Sequence, residues 1–196
     1  MDRAAAWDLL CQWTQGDSLR KHALAVEAAM RAYARRFGED EERWGITGLL
    51  HDFDYERYPS LDDHPFKGRE VLEGLGVHPT IIHAIQSHAD RTGVPRASRM
   101  DEALYAVDEL CGFITAAALI RPTKSVLDLE ASSVRRRMKD KAFARNVKRE
   151  DIVAGAQELG VPLDEHVAFV IAAMRDAADA LGLRGTADPD GGNLAP

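Results

Sequence analysis

Apolar residues recur at three- and four-residue steps through almost the whole chain, and no stretch alternates apolar with polar long enough to make a half-buried strand. A chain with that period can bury its apolar stripes only by packing helix on helix, so the expected fold is all-α, a single-domain helical bundle. The clearest helix runs from about Ser18 to Phe37, where Leu19, Ala23, Val26, Met30, Tyr33 and Phe37 share one face and Asp17 or Ser18 is available as cap. Further helices are expected from Asp40 to Leu50, Pro65 to Leu75, Pro79 to Ala89, Met100 to Leu119, Ala131 to Lys139, Glu150 to Leu159 and Leu163 to Leu181. The segment from Tyr55 to Asp63, interrupted by Pro59, reads as loop.

At 196 residues the chain is long enough for one well-buried core. We expect one helical domain over 1–185, with a ligand-bearing core at about 18–120 and packing helices in 123–182. Residues 186–196 are too poor in apolar side chains to offset the entropy of ordering them, so a disordered tail is expected. Against 32 Asp and Glu stand 25 Lys and Arg, a net charge of −7, which argues against a nucleic-acid partner. Cys11 and Cys111 lie far apart and outside any CxxC pair, as befits reduced, buried thiols. The Met1-Asp2-Arg3-Ala4 start carries no secretion pattern, and the longest apolar run, Phe113 to Ile120, is too short to span a bilayer. The expectation is a cytoplasmic protein with no membrane partner, and a homodimer is the assembly to look for.

One constellation stands out on this scaffold. His51-Asp52 follows the apolar run Ile46 to Leu50; His22 lies on the apolar face of the helix upstream, His64 and His88 stand on two segments downstream, and Asp108 sits inside an apolar helical stretch. A lone histidine on such a face is usually a core residue with one hydrogen bond. Four histidines and two aspartates on interior or helix-end positions are another matter, because a buried carboxylate such as Asp108 is costly unless a cation compensates it. Ligation by nitrogen and oxygen alone suits Fe, Mn, Co, Ni or Zn.

The ordered string His22, Leu49-Leu50-His51-Asp52, His64-Pro65-Phe66-Lys67-Gly68, Ile85-Gln86-Ser87-His88 and Ala106-Val107-Asp108 resembles the HD-domain superfamily of metal-dependent phosphohydrolases, over roughly Ser18 to Ile120. The resemblance implies two divalent metals: His22, His51 and Asp108 on one, His64 and His88 on the other, and Asp52 bridging both as a catalytic ligand. It also implies hydrolysis of a small phosphoester or nucleotide-type substrate through a metal-bridging hydroxide. Two features depart from common family patterns. The segment after the aspartate is Phe53-Asp54-Tyr55, without the lysine of HDxxK, and the signature of cyclic-dinucleotide hydrolysis is absent around His88 to Pro95.

Asp54 is a second catalytic candidate, able to orient water or protonate a leaving group, against the plainer reading of a solvated loop carboxylate. Lys67 and Arg91 each follow a ligand histidine by three residues, one helical turn if the helix extends that far, and are expected to touch substrate. The basic block Arg135 to Arg149, with Lys141 and Arg145 as its candidates, is either a solvated face or a phosphate-binding wall to which Arg121 and Lys124 contribute. His78 and His83 fall off the ligand face. Two other functions stay open: a di-iron oxygenase acting on an organophosphonate-like substrate, and a non-catalytic metal-containing module that binds a phosphorylated ligand.

Overall fold

The computed structural model of the chain describes residues 1–60 and 62–185; the tail expected at 186–196 lies outside the described residues. Those residues form ten α-helices and no strand. In chain order they are α1 (Arg3–Trp13), α2 (Asp17–Phe37), α3 (Glu41–Leu50), α4 (Phe66–Gly74), α5 (Pro79–Ser87), α6 (Arg99–Leu119), α7 (Ala131–Met138), α8 (Arg149–Glu158), α9 (Leu163–Asp176) and α10 (Ala178–Leu181). Among the described residues no helix is long and apolar enough to cross a membrane.

The helices begin where side chains can take up free backbone amides. Asp40 accepts from Arg43 N at 3.0 Å to start α3. Ser98 and Asp101 form a reciprocal capping box at α6, and Asp101 also faces His83 Nδ1 at 3.1 Å. His78 caps α5 through Nδ1. His78 and His83 are thus structural, as expected for histidines off the ligand face.

Helix α2 is the central pillar, packed on α3, α6 and α9. One apolar cluster gathers Val26, Met30 and Tyr33 of α2 with Leu104, Leu110 and Phe113 of α6 and Val170 and Met174 of α9. A second holds Leu9 and Leu10 of α1 with Leu49 and Leu50 of α3, Phe53, Leu72 of α4 and Ile81 and Ile85 of α5. Emptying either at a large residue, for example Phe113→Ala, is expected to cost about 3–5 kcal/mol.

Two expectations need amendment. Helix α1 was not anticipated, although Ala6, Leu9 and Leu10 bury one face of it and Asp2 caps it through Ala5 N. Its attachment is electrostatic as well as apolar: Arg3 grips buried Glu27 of α2 at 2.6 and 2.9 Å, and Arg31 takes the same carboxylate at 2.9 Å. The single helix expected from Leu163 to Leu181 is broken at Ala177, whose φ of −100° and ψ of 7° leave helical geometry. The break turns Ala178 and Leu181 into the core.

Helices α6 and α8 approach unusually closely. A Cβ at Gly155 of α8 would lie 2.5 Å from Ala106 Cα, a separation that only a residue without a side chain permits.

Candidate metal centre

Four elements that neighbour one another in the bundle, α2, the end of α3, the end of α5 and α6, converge on one cavity of about 420 Å³. The nitrogen and oxygen atoms gathered at it fall into two groups, His22 with Asp108 and the fully buried His51, and Asp52 with His64 and His88. Within each group the potential ligand atoms lie within 4.8 Å of one another.

The histidines are aimed by their far nitrogens. His51 caps α3 and lies 2.8 Å through Nδ1 from Gly48 O; His88 caps α5 and lies 2.7 Å through Nδ1 from Ile85 O. A carbonyl only accepts, so the proton must sit on Nδ1 in both rings. Each Nε2 is thereby left facing inward with its lone pair, while each bond also satisfies a carbonyl at a helix end. His64 follows the same logic with a carboxylate, its Nδ1 lying 2.7 Å from Asp54 Oδ1. Asp54 is therefore not a solvated loop carboxylate. It is 1% exposed, its second oxygen accepts from Gly68 N at 2.8 Å, and it stands behind His64 rather than in the cavity.

Asp52 lies between the groups. Its Oδ2 is 3.5 Å from His51 Nε2, and its Oδ1 is 3.0 Å from His64 Nε2 and 3.6 Å from His88 Nε2. Asp108 Oδ1 lies 3.0 Å from His22 Nε2 and 3.4 Å from His51 Nε2. The side chains of Asp52 and Asp108 stay 23% and 20% exposed, open enough for an ion to reach them.

The residues present fit metal ions. His51 Nε2 is fully buried and has no hydrogen-bond partner, yet it points at the carboxylates of Asp52 and Asp108. Burial opposes charge on this ring, yet Asp52 and Asp108 outweigh it and hold its pKa well above the ordinary histidine value. His64 is likewise pushed up to about 9, against burial, by Asp52 and Asp54. Burial also works against the charges of Asp52 and Asp108, but the surrounding imidazoles keep both pKa values well below the usual carboxylate range. His88 goes the other way and is lowered, chiefly by burial. A cluster that draws in protons to balance converging carboxylates presents the same atoms to divalent cations.

The rim is less as the sequence suggests. Arg91 lines the cavity and donates to His64 O at 3.1 Å, though not as a helical neighbour of His88. Helix α5 ends at Ser87, and a 3₁₀ turn at Asp90–Thr92 brings Arg91 back. Lys67 is exposed and outside the cavity, because His64 precedes α4 and the three-residue step between them is not a helical turn. Lys124 sits in the loop beyond the end of α6, more than about 16 Å along the helix from Asp108 at 1.5 Å per residue. Lys141 and Arg145 are exposed and also outside the cavity.

The basic block does not act as one wall. Arg149 folds it, donating to carbonyls of Asp140, Phe143, Ala144 and Val147 and lying 5.1 Å from the Phe113 ring centroid. Arg135 is paired with Asp164 at 2.6 Å. Of the block, Asn146 and Lys148 reach the cavity, and Tyr55, Tyr105, Glu109 and Asp151 join them there. None of these six was singled out for the site from sequence. Tyr105 and Glu109 were accessible to such a reading, lying one turn before and one residue after Asp108 on α6; Lys148 was hidden among equivalent cations.

Comparison with known proteins gives one finding of family. A family model described as HD domain matches residues 19–156, more than half of the chain. No curated protein and no solved structure matched.

Proposed function

This chain belongs to the HD-domain family, and from that premise we propose that it is a metal-dependent phosphohydrolase acting on a small phosphoester. The observation that carries the reading is the place of Asp52, with one oxygen toward His51 and the other toward His64 and His88. On this reading His22, His51 and Asp108 hold one divalent metal, His64 and His88 the other, and Asp52 serves both. Four ligands suffice to close a structural zinc site, so six converging on an open cavity support catalysis. Two such metals would supply water acidified to near-neutral pKa and charge neutralisation at a phosphoryl oxygen.

The protein's own groups do the rest. Asp54 fixes the ring of His64, a positioning role. Arg91 on one side and Lys148 on the other offer the cations a phosphate needs at the cavity rim. Both are exposed, which suits them to a ligand that arrives from solvent.

Metal analysis by inductively coupled plasma mass spectrometry, followed by phosphate release from a panel of phosphomonoesters and nucleotides, tests this directly. We expect about two divalent metals per chain and turnover with a redox-inert metal. The Asp52→Ala variant should lose turnover while its helical circular dichroism persists. Unchanged turnover in that variant would refute the two-metal assignment. Dioxygen consumption confined to the iron form, with no phosphate release, would replace the hydrolase by an oxygenase.

A further inference from the structure

We propose that the phosphoester cleaved here carries an apolar chain, which lies in a groove running from His22 across Gly112 toward Leu119. This rests on the phosphohydrolase reading and extends it to a substrate class. The metal cavity adjoins a second cavity of about 370 Å³, with His22 and Gly112 lining both. Asp108, Gly112, Thr115 and Leu119 follow one another on α6 at steps of four, three and four, so they form one stripe along the helix. At 1.5 Å per residue that stripe is about 16 Å long.

Polarity changes along it. The Asp108 end holds the ligand groups, Arg91 and Lys148. The far end is walled by Leu119, 48% exposed, and by Leu181 and Leu183. Among the described residues the one Lys or Arg lining this second cavity, Lys21, is paired with Asp17 at 2.7 Å. A ligand with an anionic head and an apolar tail matches that gradient end to end.

Gly112 is the second observation. Glycine inside a helix weakens it and is usually retained where something packs too closely for a side chain. Here a Cβ would meet nothing within 4 Å. No neighbour among the described residues demands a glycine, whereas a chain passing from one cavity to the other crosses α6 at this residue.

The test is isothermal titration of the metal-loaded protein, under argon, with methyl-, butyl- and hexylphosphonate, which have no ester bond to cleave. Affinity should rise along the series by roughly two- to fourfold per methylene, the increment of burying an apolar group. The Gly112→Leu variant, whose side chain enters the groove, should flatten the series. So should Leu119→Glu, a change at an exposed position that the fold tolerates. A wild-type series that is flat while methylphosphonate binds overturns the groove and leaves the phosphohydrolase reading standing. Failure of every phosphonate to bind removes both.

Discussion

A histidine serves a metal only if one ring nitrogen keeps its lone pair and the ring is held still, and three of the four here meet that demand through a fixed acceptor behind them. The acceptors differ in strength. His51 and His88 use backbone carbonyls, which no substitution removes; His64 uses Asp54, which one substitution does. The Asp54→Asn protein should therefore bind the metal at His64 about 10- to 100-fold more weakly, measured by metal titration, while the site at His22 fills as before. Equal affinities would mean that Asp54 does not orient the ring. The two candidate ligand groups were readable from residue order, because histidine and aspartate at apolar-flanked positions leave a pattern. Asp54's task was not, since a carboxylate in a Tyr- and Pro-rich loop gives no sign that it will be 1% exposed. Lys67 misled for a related reason, its spacing from His64 being helical only in number.

Helices with long apolar stretches were found close to their observed bounds, as α2, α3 and α6 show. Helix α1 escaped because a short stretch with two Trp and three consecutive Ala carries a weak stripe, and its anchor, Glu27, lies in another element. The break at Ala177 escaped because alanine gives no signal for leaving a helix. One contact that links elements has a measurable pH signature. His166 of α9 is held between the Tyr33 hydroxyl of α2, 2.6 Å from Nδ1, and the Ala106 carbonyl of α6, 2.9 Å from Nε2. Burial, aided by the charge of Arg36, lowers its pKa. An unfolded chain takes up a proton on this ring near pH 6.5 while the folded one resists. The stability contributed by the neutral ring is thus present above about 6.5 and lost as pH falls toward the lower folded value. Between about pH 7.5 and pH 5.5 the melting temperature of His166→Gln, which can accept and donate at the same two partners, should fall less than that of the wild type. Equal falls would show that the ring is not shielded as described.

Across the whole molecule, two apolar clusters flank the cavity, one built around α6 and α9 and the other around α3 and α5, with α2 contributing to both. The far side of the cavity is completed by residues at the start of α8, remote in sequence from every candidate ligand, and that long-range closure is why Lys148 did not stand out from the other cations of its block. Replacement of Lys148 by alanine is expected to raise KM by roughly tenfold, the worth of one charge-assisted hydrogen bond of about 1.5 kcal/mol, with little change in kcat. Lys141→Ala, outside the cavity, should leave both constants unchanged. A reversed result would put the phosphate elsewhere on the basic block. The close approach of Gly155 to Ala106 then acquires a meaning of its own. It sets the gauge between the helix that bears Asp108 and the one that starts at Lys148 as its cap, as the width of a vice is set by its screw rather than by its jaws. A single methyl group at residue 155 would touch no substrate and no ligand, yet it would spread the two faces, so selectivity in this chain can drift by changes made wholly behind the surface that does the selecting.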